Sequence, residues 1–248
     1  MLLATGHLPA ETVAVLYPEG SIHGFLALRT LEGKLLAAGD LTQVIHGSRV
    51  TSHLIFRFKD GSVDDETTVF TQRGQFRLVS DHHIQKGPGF PKPADVLIEA
   101  PTGQVTVRYK DKGRDKVESS HVDLPPDLAN GLIIELIKNI APDAKKTMVS
   151  YVAAAPKPRL VQLSITPEGK ETFSVAGAHY MATRFKVKVE LGGITGAVAP
   201  LIGKQPPDTY VWMLGGKAPA FIKLEGPQYE GSPIRRLELA SPVWKRVT

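Results

Sequence analysis

Apolar and polar residues alternate with a period of two along most of the chain. The pattern is clearest over residues 178–191, where Met181 and Phe185 fall on one face and Lys186 falls on the other. Because successive side chains of a strand point to opposite faces, this alternation predicts an antiparallel strand with one dry and one solvated face. Shorter runs of the same kind recur over residues 50–58, 105–110 and 162–166.

Short turn sequences separate these runs. Asp60-Gly61 is a strong hairpin signal, because glycine accepts the positive φ that tight hairpin turns require. We predict strands near residues 11–17, 21–30, 34–45, 48–58, 62–72, 75–86, 94–100, 103–110, 114–122, 146–154, 159–166, 178–191, 208–214, 219–225 and 233–240. Short connections favour pairing between neighbours in sequence. The sequence therefore predicts a mainly β fold, a large curved antiparallel meander sheet of about 11–15 strands.

One strongly helical segment interrupts the strands. After two prolines, apolar residues recur at helical spacing from Leu128 to Ile140, which predicts a helix over residues 126–140. Its apolar stripe is expected to cover the dry face of the sheet as a plug. A weaker helical segment is predicted over residues 194–202. No shift of composition divides the chain, so we expect a single β domain over residues 1–248.

Composition excludes several classes of protein. The chain has 248 residues, of which 42% are hydrophobic, and this content is too high for a disordered protein. It has no cysteine, which excludes disulfides, thiolate zinc sites and a cysteine nucleophile. The net charge of +5 is spread over the solvated strand faces without interleaved aromatic residues, so nucleic-acid binding is not expected. No motif predicts a metal site or a cofactor.

The first residues carry neither a cationic segment nor an apolar run long enough for a signal peptide. No window reaches the roughly 18–20 uncharged apolar residues of a membrane span, so we expect no transmembrane segment. A periplasmic or extracellular location is expected if a signal peptide has been removed from the chain, and a cytoplasmic one otherwise.

Three of the eight histidines, His82, His121 and His179, project onto apolar or small faces of the predicted strands. If these faces all line the interior, the imidazoles converge and can act as acid or base near neutral pH. The alternative is that each is a structural residue hydrogen-bonded to a neighbour. Asp81 and His83 share the face opposite to His82, which we interpret as solvent-exposed, so an ordinary surface contact is expected between them.

The predicted inner faces carry more large apolar side chains than one helix can cover. A curved sheet with such a surplus commonly holds a ligand in a hydrophobic cavity. The candidate ligand-binding residues are Phe56, Phe58, Phe76, Leu78, His82, Met181, Phe185 and Trp212.

The meander of long strands, the internal Leu-Pro-Pro-Asp-Leu at residues 124–128 and the C-terminal run over residues 210–227 together carry a resemblance. From about residue 20 to residue 240 the chain resembles uncharacterised bacterial exported proteins whose fold is similar to that of the outer-membrane lipoprotein carriers (the lipoprotein-localisation-factor-like fold). The resemblance implies an incomplete barrel of about 11 or 12 strands around a helix, with an interior suited to acyl chains. It implies no catalytic residue, although one enzyme of pigment biosynthesis shares the fold.

Three functions remain open from the sequence. The first is a soluble carrier that holds a lipid or another hydrophobic small molecule, with an envelope protein as a possible partner. The second is an enzyme that uses the three interior histidines on a small apolar substrate. The third is a structural or protein-binding role through an exposed edge strand.

Overall fold

The computed structural model describes residues 12–154, 157–175, 178–190 and 206–240. Within these residues one antiparallel sheet of fourteen strands accounts for most of the chain. The strands are β1 Ile22–Thr30, β2 Leu35–His46, β3 Arg49–Phe58, β4 Val63–Arg73, β5 Gln75–Lys86, β6 Ala94–Glu99, β7 Gln104–Asp111, β8 Arg114–His121, β9 Thr147–Ala153, β10 Arg159–Val175, β11 Ala178–Glu190, β12 Thr209–Leu214, β13 Ala220–Pro227 and β14 Ile234–Leu239. One helix, α1, spans Ile133–Lys138.

The sheet is a meander whose first and last strands, β1 and β14, lie side by side at its centre. Its strand order is β8-β7-β6-β5-β4-β3-β2-β1-β14-β13-β12-β11-β10-β9. The chain runs outward from β1 to one edge at β8, passes through α1, enters again at the other edge with β9 and returns to pair β14 with β1. Within the described residues the two edges do not pair, so the barrel is incomplete, as the family resemblance implies.

Strand β10 is much longer than the predicted strand at residues 159–166. The predicted turn at residues 167–169 is instead a bulge, because the register against β11 shifts between Pro167 and Gly169, and Gly169 has a φ of 134°. Strand β9 pairs only with the part of β10 from Arg159 to Ile165. The far end of the β10–β11 hairpin therefore extends beyond both neighbouring strands.

The predicted strand at residues 11–17 does not form over its described residues. Its only ladder contact there is an isolated bridge between Ala14 and Gln75. The amides of Leu16 and Tyr17 donate to Asn139 Oδ1 at 2.8 and 2.7 Å, so the end of α1 satisfies them in place of a neighbouring strand. This segment consequently lies against α1.

The helix is shorter than the predicted span of residues 126–140. Asn130 exchanges two hydrogen bonds with the backbone of Val152 in β9, and Asp127 Oδ2 accepts from the amide of Ser150 at 3.0 Å. Gly131 then takes a φ of 64°, which a helix does not allow. These contacts hold the first half against β9 in a non-helical path. The predicted helical segment at residues 194–202 lies outside the described residues.

The apolar stripe of this segment is nevertheless buried. Leu128, Leu132, Leu136, Ile137 and Ile140 all belong to the larger of two core clusters, together with inward-facing residues of the sheet. We call residues 124–142 the plug, and the sheet face that it covers the inner face. In the part of the chain that the structure describes, no helix is long and apolar enough to cross a membrane.

Candidate functional site

A β-bulge decides which side chains of β5 face inward. Val69 of β4 pairs with Ser80 and Phe70 pairs with Leu78, so Val79 is an extra residue. Before the bulge Phe76 and Leu78 are inward and buried. Because the side chains of a strand alternate, one extra residue exchanges the two faces, and after the bulge the inward residues are Asp81, His83 and Gln85.

His82, His121 and His179 do not all line the interior, so the condition for a shared site is not met. His82 lies on the outer face, where its Nε2 is 2.9 Å from Asp95 Oδ1 and its side chain is 41% exposed. His121 is exposed at the end of the edge strand β8, and His179 is exposed on β11. The three imidazoles therefore occupy separate, accessible positions on three different strands.

The interpretation of Asp81 and His83 as a surface pair is also wrong, because both face inward. They join Asp64 and Glu66 of β4 on alternate cross-strand pairs, which share one face: Glu66 lies opposite His83, and Asp64 lies opposite Gln85. Glu135 lies on α1 of the plug, and the charge of Glu66 helps to raise the pKa of its carboxyl. We call Asp64, Glu66, Asp81, His83 and Glu135 the acid cluster.

Hydrogen bonds hold the sheet side of the acid cluster. His83 Nε2 donates to Asp64 Oδ1 at 2.6 Å, and Gln85 Nε2 donates to Asp64 Oδ2 at 3.0 Å. Thr68 Oγ1 donates to Asp81 Oδ1 at 3.1 Å. Asp64 thus has donors on both oxygens, as a buried carboxylate requires.

Burial changes the protonation of the other groups. It raises the pKa of Asp81 to about 8, and the charge of Glu66 adds to this rise. It also raises the pKa of Glu66 itself. For His83, burial alone lowers the pKa, but the hydrogen bond with Asp64 and the surrounding carboxylates outweigh burial and raise the pKa to about 9. At neutral pH the cluster therefore holds a cationic His83, hydrogen-bonded to Asp64, and a protonated Asp81.

The plug and the far edge of the sheet contribute further titratable groups. Burial raises the pKa of Glu135 to about 8, with a contribution from the charge of Glu19. Lys138 opposes this rise, but its Nζ is bound to Glu19 Oε1 at 2.8 Å. Burial and the charges of Glu66 and Asp81 raise the pKa of Tyr151 in β9. Groups on β4, β5, α1 and β9 thus influence one another's pKa values.

Backbone of the plug packs directly onto the cluster at Gly131. A Cβ added at Gly131 would collide with Thr68 Oγ1 and lie 2.9 Å from Asp81 Oδ1. Only glycine fits a contact this close. Among the residues that the structure describes, no three His, Asp or Glu side chains are arranged to hold a metal ion.

The predicted ligand-binding residues fall into three groups. Phe76, Leu78 and Phe185 are buried in the larger core cluster. Phe56 is buried in a smaller cluster with Leu26, Leu28, Ala37 and Leu237, and Phe58 packs half-buried against it. His82, Met181 and Trp212 belong to neither cluster.

Trp212 lies on the outer face, which the sequence does not predict. Its neighbours Val211 and Met213 point into the core, so the alternation of β12 turns the indole outward. There its Nε1 donates to Glu171 Oε2 at 2.8 Å, and Lys223 Nζ lies 3.9 Å from the ring centre. These contacts explain its burial without a ligand.

Met181 is 51% exposed and lines a pocket of about 470 Å³ at one end of the inner face. We call this the mouth pocket; its lining is Pro142, Lys170, His179, Tyr180, Met181, Thr183, Leu214, Gly215 and Gly216. Strands β10, β11 and the end of β12 form most of it, and the plug contributes Pro142. Another cleft, of about 500 Å³, is lined by Pro18, Gly47, Ser48, Gln72 and Arg73, and offers no large apolar side chain.

An open antiparallel sheet with a plugged inner face and a pocket at its end defines the class of this protein as β-barrel-like. Among solved structures, the β-barrel-like protein of the domain of unknown function DUF1849 from Brucella abortus is similar, with a TM-score of 0.44 and 9% sequence identity. The match covers 92% of this chain and 100% of that chain. No protein-family model and no curated protein sequence matches the chain. A similarity at this level transfers neither a function nor site residues.

Proposed function

We propose that this protein is a carrier that binds a hydrophobic ligand, a lipid or an acyl chain, in the mouth pocket. The observation that supports this most directly is the exposure of Met181, which lines a concave site and is 51% exposed there. Pockets with apolar side chains in their lining are common places for small ligands.

The dimensions and lining of the mouth pocket suit this role. Its volume of about 470 Å³ lies within the usual range for small-molecule sites, and mouths of barrels are a common place for them. Met181 is unbranched and polarisable, so it adapts to ligands of irregular shape. Lys170 at the rim offers an ammonium group to a polar or acidic head, which would orient the ligand with its apolar end inward.

The inner face continues apolar beyond the pocket. Leu214 of the pocket follows Met213, which pairs with Phe221 of β13. Phe221 is one of five half-buried apolar residues around the smaller core cluster; the others are Leu41, Leu54, Phe58 and Leu224. This surface would accommodate the tail of a ligand longer than the pocket itself.

The sequence resemblance to proteins with a lipoprotein carrier-like fold supports the same proposal and suggests an envelope setting, periplasmic or extracellular, with an envelope protein as partner. The enzyme alternative lacks comparable support. His82, His121 and His179 share no site, so a common acid–base role for them has no geometric basis.

Binding of 1-anilinonaphthalene-8-sulfonate, an apolar fluorophore with a permanent negative charge, tests the proposal. The wild-type protein is expected to bind the probe saturably, and Met181→Asp is expected to weaken binding at least about tenfold, because the carboxylate would be placed in the apolar lining. Val117→Asp is the matched control, since Val117 is 63% exposed on β8, away from the pocket. Equal affinities for the two variants, or no saturable binding by the wild type, would overturn the proposal. Native mass spectrometry of the purified protein then identifies any lipid that it carries.

A further inference from the structure

The acid cluster lies where the plug meets the sheet, and it has more carboxyls than cations. The charged and titratable groups that influence one another there are Asp64 and Glu66 from β4, Asp81 and His83 from β5, Glu135 and Lys138 from α1, Tyr151 from β9, and Glu19 from the segment before β1. The two cations are already engaged, because His83 is bound to Asp64 and Lys138 to Glu19. Glu66, Asp81 and Glu135 consequently lack a cation of their own among the described groups.

We infer that the acid cluster is a pH-sensitive contact, which holds the plug on the inner face while these carboxyls are protonated and releases both plug and bound ligand when they ionise. This inference rests on the proposed carrier function for the ligand, but its effect on the plug does not depend on it.

The geometry makes ionisation act across the interface. Glu66 and Asp81 belong to the sheet and Glu135 belongs to the plug, so their negative charges would repel the two elements from each other. Gly131 brings the plug backbone against Asp81, which leaves little room for water to screen that repulsion. Charges in such a poorly hydrated place interact far more strongly than at the surface.

Within the acid cluster, the raised pKa values of Asp81, Glu135 and His83 all act in the same direction. Asp81 and Glu135 have a pKa of about 8 in the folded protein and near 4 when unfolded, so the folded state binds more protons between these values. Their stabilising effect is complete below about pH 4 and is lost as pH rises through about 8. His83 has a pKa of about 9 against 6.5 unfolded, and its stabilising effect is present below 6.5 and lost as pH rises through about 9.

Movement of the plug would reach the mouth pocket directly. Pro142 forms part of the pocket wall and lies four residues beyond Lys138, the last residue of α1. A plug released from the acid cluster therefore removes one wall of the pocket. Loss of ligand follows from loss of that wall.

The experiment measures affinity for 1-anilinonaphthalene-8-sulfonate and hydrogen exchange of the plug at pH 6.5 and pH 9 on the full chain, with exchange rates corrected for intrinsic pH dependence. In the wild type, the affinity for the probe is expected to be at least about tenfold lower at pH 9 than at pH 6.5. The amides of residues 128–140 are expected to lose protection from exchange over the same interval. In Asp81→Asn/Glu135→Gln, whose amides cannot ionise, both changes are expected to shrink at least about threefold, and the remainder comes from Glu66 and His83, which still titrate. The single variant Glu135→Gln gives an intermediate result and serves if the double variant does not fold. Asp115→Asn, at an exposed position of β8, is the control and should behave as the wild type.

Plug protection that is unchanged between pH 6.5 and pH 9 in the wild type would overturn the inference. So would a double variant that retains the full pH effect. Failure of the probe to bind at pH 6.5 would overturn the proposed carrier function instead, while the exchange measurement would still decide whether the plug responds to pH.

Discussion

Gly131 shows how much one residue controls in this molecule. Its positive φ ends the non-helical first half of the plug, and its missing side chain lets the plug backbone touch Thr68 and Asp81. Both requirements are met by glycine alone. The close contact between the plug and the acid cluster thus depends on the absence of a Cβ atom at residue 131.

Gly131→Ala is expected to destabilise the protein by about 2–4 kcal/mol, through backbone strain together with overpacking against Thr68 and Asp81. The measurement is urea unfolding at pH 6.5. Gly113→Ala is the matched control, because Gly113 also has a positive φ of 78° but has open space around it. Strain alone should cost the control about 1–2 kcal/mol. Equal losses for both variants would show that Gly131 makes no close contact.

His82 and His83 are adjacent, and each is hydrogen-bonded to an aspartate. The two aspartates differ in how far they are exposed to solvent. Asp64 beside His83 is 9% exposed, whereas Asp95 beside His82 is 32% exposed. Removing one partner of a buried ion pair costs about 3–5 kcal/mol, whereas an exposed pair contributes about 0–1 kcal/mol.

His83→Ala is therefore expected to lower the free energy of unfolding by about 3 kcal/mol, because it leaves Asp64 buried with Gln85 as its remaining side-chain donor. His82→Ala is expected to lower it by less than 1 kcal/mol. Denaturant unfolding of both variants measures the difference. The reverse order would mean that the bulge at Val79 does not set the faces of β5.

At the scale of the secondary-structure element, side-chain hydrogen bonds rather than helix propensity decide the path of the plug. Its apolar spacing is helical from residue 128 to residue 140, but α1 covers only Ile133–Lys138. The difference comes from Asn130 and Asp127, whose side chains bond to the backbone of β9. Because β9 is an edge strand, these bonds also satisfy backbone groups that would otherwise lack a neighbour.

Asn130→Ala is expected to destabilise the protein by about 2 kcal/mol, since it removes two buried hydrogen bonds and leaves the amide and carbonyl of Val152 without them. Hydrogen exchange should show lost protection in β9 and in residues 128–132. Gln104→Ala, which removes an exposed side-chain bond to Ser119, is the control and should change stability by less than 0.5 kcal/mol. Unchanged exchange in β9 would contradict this account.

Most strands could be predicted from the sequence, because alternation and turn residues are local signals. The bulge at Val79 could not, since its neighbours Phe76, Leu78 and Ile84 suggest an uninterrupted alternation. Because of that single extra residue, the sequence pattern placed Asp81 and His83 on the outer face and His82 on the inner face, the reverse of what the structure shows. Similarly, Gly169 signals a turn but forms a bulge, and Asn130 acts through a strand that is distant in sequence.

At the scale of the whole molecule, the acid cluster makes the stability of the folded protein decrease as pH rises. The free energy of unfolding is expected to fall by a few kcal/mol between pH 5 and pH 9, because each pKa unit corresponds to about 1.4 kcal/mol and the raised pKa values of Asp81, Glu135 and His83 all favour the folded state at low pH. Urea unfolding across this range measures it. Asp81→Asn should flatten the curve, and a maximum of stability near pH 9 in the wild type would contradict the expectation.

The pairing of β1 with β14 has a consequence for how the chain reaches this structure. Leu26 lies opposite Leu239, and every other pairing in the sheet joins strands that are consecutive in sequence. Each arm of the meander can therefore assemble from neighbouring hairpins at small entropic expense, whereas the seam between β1 and β14 must close a loop of nearly the whole chain. We therefore expect closure of this seam to be the slow step of folding. Until it closes, the apolar faces of the two arms would be exposed to aggregation.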